Sequence, residues 1–150
     1  MDTDHALDQV KRRSVTGILL FVHNSSIKWY SKRQNTVKTS SYGAELVALK
    51  IAIELIIKFR YKLRMMGILI KGGSQVLYDN KSVVLSTSLP SSMLKKKHNA
   101  IVYHQVREAV TASIVKVSHI AGTKNVVDIL TKPTGGPAFR RYLKSTLVIL

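Results

Sequence analysis

The order of elements in this 150-residue chain predicts an α/β fold in which a mixed sheet is covered by helices. Three observations carry that expectation. Two short β-type runs near the N-terminus flank a turn; a long apolar segment with helical spacing follows; and further strand and helix patterns then alternate to the C-terminus. At 45% apolar residues, the chain can bury the core of a single domain, 1–150.

Residues 1–13 are polar and read as a loop, with Asp2, Asp4 and Asp8 ahead of Lys11, Arg12 and Arg13. Thr16–Val22 and Ile27–Tyr30 form a hairpin around His23-Asn24-Ser25-Ser26. A central helix is expected from Tyr42 to Met65, capped by Ser41 and stopped by Gly67. Ser74–Tyr78 is a third strand, and a short helix after Asn80 ends before Pro90. A second long helix near Lys97–Ala112 carries Ile101, Val102, Val106 and Val110 at helical spacing. Ile114–Val117 is a fourth strand. Val126–Thr131, capped by Asn125 and stopped by Pro133, is a short helix, and a last one near Pro137–Lys144 lies in a peripheral segment, 134–150.

Charge narrows the function. Twenty-four Lys and Arg against eight Asp and Glu leave a net +16, which points to a polyanion, nucleic acid first. Without cysteine there is neither a disulfide nor a thiolate metal site. No apolar run reaches the roughly 18 residues of a membrane span, and the N-terminus lacks the order of a signal peptide, so no membrane partner is expected.

With so few acids, their positions carry information. On the central helix Lys50, Glu54 and Lys58 share the solvent stripe, whereas Glu45 falls with Ala48, Ala52, Leu55 and Phe59 on the side that should pack. A carboxylate there needs a hydrogen bond, a counter-charge or a cation, unless it belongs to a frayed first turn. Asp79 ends a strand, Asp128 opens a short helix, and Asp2 and Asp4 precede the hairpin. Each has a plain alternative: Asp79 as a helix N-cap, Asp128 as the third-position acid of an Asn125 capping box, Asp2 and Asp4 as a solvated terminus. Jointly, convergence explains them better. Clustered carboxylates repel, and two Mg²⁺ ions would relieve the repulsion and serve phosphodiester hydrolysis.

The segments Arg13–Gly17, Ile27–Val37, Ser40–Glu45 and Asp79–Ser82 resemble, in order and spacing, the ribonuclease H domain of copia-type retrotransposon polyproteins. Lys97–Glu108 and Asp128–Lys132 are similar to that family's later signatures, so the resemblance spans nearly the whole chain. It implies a ribonuclease H-like fold with a five-stranded mixed sheet, and an endonuclease that cleaves the RNA strand of RNA–DNA hybrids during reverse transcription. Carried over, the metal ligands are Asp2, Glu45, Asp79 and Asp128, holding two Mg²⁺, with Mn²⁺ the alternative ion. His119 is similar to a loop histidine that assists proton transfer and product release. The other reading of His119 is an ordinary strand-end histidine. His98 and His104 are expected on a helix surface, and Trp29 in the core rather than as a base-stacking platform. Lys32, Arg33, Lys38, Lys95, Lys96 and Lys97 are the phosphate-contact candidates. The resemblance further implies an upstream reverse transcriptase domain and a cytoplasmic, virus-like particle.

Departures bear on activity. Members of the family carry a complete strand before the first acid, whereas Met1 precedes Asp2 here. The fold is therefore expected to lack most of its first strand, and the isolated chain to be poorly stable. Ala100, Tyr42-Gly43 and His5 also depart from the pattern. The competing readings are a catalytically dead, basic nucleic-acid-binding remnant of such a domain and, further off, a strand-transferring nuclease.

Overall fold

The computed structural model describes residues 2–4, 14–23, 25–35, 41–89, 99–133 and 135–146. The architecture is mixed α/β, compatible with a ribonuclease H-like fold. Its strands are β1 (Asp2–Asp4), β2 (Val15–Val22), β3 (Ser25–Arg33), β4 (Ser74–Tyr78) and β5 (Val115–His119). Its helices are α1 (Ser41–Met65), α2 (Lys81–Ser88), α3 (Ala100–Thr111), α4 (Asp128–Thr131) and α5 (Gly136–Thr146).

Among the described residues the strands fall into two sheets rather than one. Three antiparallel strands stand in the order β1-β2-β3, and β4 pairs with β5 in parallel. The break follows from the length of β1. Its three residues pair Asp2 with Gly17, Thr3 with Thr16 and Asp4 with Val15, so among the described residues β2 beyond Gly17 has no partner on that side. Residues 2–4 are thus strand rather than loop, because their backbone completes the ladder with β2. Burial along β2 tracks this. Thr16, Gly17 and Ile18 are buried, Leu19 and Leu20 half-buried, and Phe21 and Val22 exposed.

Helix α1 organises the interior. Leu46, Leu49, Ile53 and Ile56 pack with Ile18 of β2, Val76 and Tyr78 of β4, Val83 of α2, Tyr103 and Val106 of α3, and Val115 of β5. The expected polar stripe holds: Lys50 Nζ lies 3.6 Å from Glu54 Oε1 on the outer face. Gly67, at φ +80°, ends the helix in a left-handed turn. There Gly67 N–H donates to Arg64 O at 3.0 Å and Ile68 N–H to Leu63 O at 2.9 Å, the paired bonds of a Schellman ending. The helix after Asn80 is capped by Asn80 itself rather than by Asp79, with Asn80 Oδ1 accepting from Ser82 N at 3.1 Å and Val83 N at 3.3 Å.

On helix α3 the expected Val102, Val106 and Val110 pack on the core, and only Ile101 departs from the expected face. Tyr103, Val106 and Ala109 are buried, while Ile101 is 75% exposed. Tyr103 takes its place by filling the space beside α2, its hydroxyl donating to Ser86 O at 3.3 Å. Trp29 also departs from expectation: it is 72% exposed on β3, the edge strand of its sheet among the described residues.

Helix α4 lies on the opposite face of β2 from α1. Gly17 and Ile18 alternate across the strand; Ile18 joins the α1 core, and Gly17 meets α4. A Cβ at residue 17 would lie 2.6 Å from Thr131 Cγ2 and 2.8 Å from Val127 Cγ1, so only glycine lets α4 seat this closely. Gly17→Val is therefore expected to cost about 1–3 kcal/mol of stability by overpacking, measured as a shift in urea midpoint, with Gly135→Ala, where an added Cβ meets nothing within 4 Å, as the comparison.

Candidate functional site: carboxylates at the strand ends

The carboxyl ends of β4 and β5 hold one cluster of the expected residues. Asp79 follows directly on Tyr78 at the end of β4, and the register sets Tyr78 opposite His119, the last residue of β5. His119 Nε2 hydrogen-bonds Asp79 O at 3.1 Å, and Ile120 N–H donates to Tyr78 O at 2.9 Å. His119 therefore stands on the strand end, exposed, rather than in a loop. Beyond it a 3₁₀ turn, Gly122–Lys124, folds back over the site. A Cβ at residue 122 would lie 4.0 Å from Asp79 Oδ2. Helix capping at this point falls to Asn80, so Asp79 is not held as the N-cap.

Glu45 is buried, as its place on the packing stripe required, at 8% exposure. The Tyr78 hydroxyl hydrogen-bonds Glu45 Oε2 and also donates to Glu45 O at 3.0 Å. Tyr78 is itself fully buried, so α1 and β4 are joined by a polar contact inside the core, one residue from Asp79. The turn of α1 that carries Glu45 is fixed from the other side by Gln34, at the end of β3. Its Nε2 donates to Ala44 O at 2.9 Å and to Thr16 Oγ1 at 3.0 Å. Neither Tyr78 nor Gln34 was singled out from the sequence. Their signals were slight: a tyrosine beside the strand-end acid, and a glutamine within a segment that otherwise reads as loop.

Asp128 opens α4, half-buried, with Oδ1 3.5 Å from Lys132 Nζ one turn on. Asn125, 3% exposed, accepts from Val127 N–H at 3.4 Å through its side chain, which holds the approach to α4. Because α4 rests on Gly17, and Gly17 is the register partner of Asp2, Asp128 and the backbone of Asp2 are carried by two elements in contact. Asp2 is placed here by its backbone alone.

The donors Glu45, Asp79 and Asp128 are all carboxylate oxygens, the chemistry a hard divalent cation requires. Among the described residues, however, no three His, Cys, Asp or Glu side chains gather closely enough to hold a metal ion. The described carboxylates thus match Mg²⁺ in chemistry, but the described residues do not bring three of them together. Of the phosphate-contact candidates, Lys32 and Arg33 are exposed near the end of β3, while Lys38, Lys95, Lys96 and Lys97 lie outside the described residues, as does His98. His104 is exposed on α3, its ring edge-on to Tyr103.

This is a mixed α/β scaffold with acids at its strand ends, and its relatives share one context. The chain is 27% identical over 148 residues to the retrovirus-related Pol polyprotein from transposon RE2 of Arabidopsis thaliana. It is 28% identical over 141 residues to that from transposon RE1 of the same plant. Over 132 residues, 87% of the chain, it is 32% identical to that from transposon TNT 1-94 of Nicotiana tabacum. These are polyproteins of copia-like transposons, and the chain spans about a tenth of the length of each. No family model matches the chain, and no solved structure matches it. No helix among the described residues is long and apolar enough to cross a membrane.

The Tyr78–Glu45 contact makes a direct prediction. Tyr78→Phe leaves a buried carboxylate with one partner fewer and should cost about 1–3 kcal/mol. In a double-mutant cycle with Glu45→Gln, the urea midpoints should yield a coupling of roughly 0.5–3 kcal/mol; additivity would mean that the two side chains do not interact.

Proposed function

We propose that this chain is the ribonuclease H-type segment of a retrotransposon Pol polyprotein, hydrolysing the RNA strand of an RNA–DNA hybrid with Mg²⁺. The observation that carries the reading is the strand-end arrangement, in which Asp79 adjoins the buried Tyr78–Glu45 pair on one side and His119 on the other. Its similarity to Pol polyproteins over 87–99% of the chain supports the same context.

In this reading Glu45, Asp79, Asp128 and Asp2 supply the oxygen donors. Two bound Mg²⁺ would lower the pKa of a water and offset charge on the leaving oxygen. Tyr78 orients Glu45 by hydrogen bonding; Gln34 fixes the helical turn beneath it; and Gly122 leaves space above Asp79. His119, exposed and held against Asp79 O, is placed to exchange a proton with solvent at Nδ1 while Nε2 keeps the contact. Lys32 and Arg33 would take the phosphate backbone, and the exposed Trp29, on the same strand face as Arg33, would stack on an unpaired base.

A second reading has its own observation. Glu45 Oε2 already accepts the Tyr78 hydroxyl, and the described carboxylates do not form a three-residue metal cluster. These favour a basic nucleic-acid-binding remnant that no longer cuts, with the net +16 providing affinity.

Cleavage of a labelled RNA–DNA hybrid in Mg²⁺ separates the two. Under the nuclease reading Asp79→Asn should lower the rate by roughly a hundredfold or more and leave hybrid affinity unchanged. Absence of cleavage by the parent chain, with affinity retained, would establish the binding remnant. In either case Trp29→Ala should weaken binding of a hybrid with a single-stranded overhang by about 1–3 kcal/mol and leave binding of a blunt hybrid unchanged, read by fluorescence anisotropy at fixed salt.

A further inference from the structure

Exposed apolar side chains gather at the end of α1 opposite the candidate site. Ile57, Tyr61, Met65 and Met66, with Ile68 and Leu69 beyond the Gly67 turn, are all exposed. Tyr61 lies about 24 Å from Glu45 along the helix axis, at ~1.5 Å per residue. Several of these residues frame a groove of about 290 Å³, lined by Ile57, Arg60, Tyr61 and Arg64 of α1, by Ile68, and by Ile114 just before β5. That volume falls below the roughly 300–1,000 Å³ of clefts that bury a whole small molecule. It has room for one or two side chains of a partner.

Positions 57, 60, 61 and 64 follow the i, i+3, i+4, i+7 spacing of a single helical face. The facing wall is set by the Schellman turn, in which Ile68 N–H donates to Leu63 O at 2.9 Å and lays Ile68 back along the helix. Arg60 is held too, since its Nη1 donates to Ser74 Oγ at 3.1 Å at the start of β4. Little ordering is therefore left to oppose binding. From Leu55 to Tyr78 the chain carries Lys58, Arg60, Lys62, Arg64 and Lys71, and no Asp or Glu. Of the acids on adjoining helices, Glu54 faces Lys50 and Glu108 is exposed on α3, and neither lines the groove. Lys62 and Arg64 suit the negative end of the helix dipole. The apolar side chains exposed beside them gain nothing from it, and a contiguous apolar patch rimmed by polar groups marks an interaction surface.

Charge selects the occupant. A second copy of a chain with net +16 would bring like charge to Arg60 and Arg64, and a phosphate backbone would satisfy the arginines while leaving the aliphatic groove empty. We propose that the groove docks an acidic amphipathic helix of a partner protein, seating apolar side chains against Ile57, Tyr61 and Ile114 and carboxylates on Arg60 and Arg64. One wall is itself a helical face, into whose grooves the ridges of a second helix pack. The partner's apolar residues then recur at i, i+3, i+4 and i+7, with Glu or Asp beside them. Arginine suits the second role because its planar fork takes a carboxylate through two parallel hydrogen bonds. A partner seated here leaves the acids at the other end of α1 open, so the inference stands whether or not the chain cuts nucleic acid.

The probe is a fluorescein-labelled peptide, acetylated and amidated, of sequence Glu-Ala-Leu-Glu-Glu-Leu-Leu-Glu-Ala-Leu-Glu, titrated with the full chain and followed by anisotropy. One control peptide carries Gln for every Glu, and a second carries Ser for every Leu. The probe should bind at least roughly tenfold more tightly than either control. Tyr61→Ser and Arg64→Gln should each weaken it by roughly tenfold, while leaving the Ser peptide, the affinity for an RNA–DNA hybrid and the urea midpoint unchanged. Failure of the probe to bind, equal binding of the Ser peptide, or full affinity in both variants would overturn the proposal. Three further results would overturn it by naming another occupant: a dimer of the free chain abolished by Tyr61→Ser (a second copy), sedimentation with phosphatidylserine vesicles abolished by Tyr61→Ser without peptide binding (a membrane surface), or hybrid affinity lost in Tyr61→Ser (nucleic acid).

Discussion

A tyrosine hydroxyl and a carboxylate meet inside this protein, and the positions of most other groups follow from that contact. Glu45 lies on the face of α1 that must be buried, where an unsatisfied carboxylate would cost several kcal/mol. Tyr78, fully buried at the end of β4, answers it. The bond brings the first turns of the longest helix to the strand end that carries Asp79, and the β4–β5 register then brings His119 alongside. Gln34 secures the same turn from β3 through Ala44 O. Two sheets that share no ladder among the described residues are in this way held to one helix by polar contacts at one end, while apolar packing against Leu46, Leu49 and Ile53 holds them along its length.

The two ends of the structure differ accordingly. At the end with Asp79, Glu45 and Asp2, β1 completes the antiparallel ladder and Gly17 lets α4 close over it. At the other end, among the described residues, β2 emerges unpaired on one side, Phe21 and Val22 become exposed, and a slot opens between β2 and β4. A cavity lined by apolar side chains forfeits the contacts that fill a normal core.

Much of this was legible in the chain, and the reasons for what was not are specific. Ser74–Tyr78 and the helix from Ser41 to Met65 could be read because a run of β-type residues after Gly72-Gly73, and a glycine stop at Gly67, are local signals. Glu45 stood out because helical geometry alone puts it on the buried side. The partner that justifies it did not, since Tyr78 is 33 residues away and only the fold makes them neighbours. On α3 the spacing of Val102, Val106 and Val110 marks the packed face, but Ile101 is exposed and Tyr103 is buried in its place, because Tyr103 reaches Ser86 in another helix. Trp29 was assigned to the core on residue type, yet an edge strand exposes one face whatever its composition.

Charge and burial then divide the acids into two kinds. Glu54 answers Lys50 on an exposed helix face, where such a pair contributes a few tenths of a kcal/mol and any register would serve. Glu45, Asp79 and Asp128 each stand where the backbone fixes them: on the inner face of a helix, at a strand end, and at the start of a helix seated on a glycine. In a chain that spends only eight of 150 residues on acids, placing three at constrained positions while the net charge stays at +16 is an arrangement that surface solvation does not require. In the proposed reading, the net +16 would attract a phosphate backbone and these three carboxylates would meet it at the strand ends. The contrast between the two charge patterns, rather than the size of either, is what the proposed nucleic-acid partner rests on.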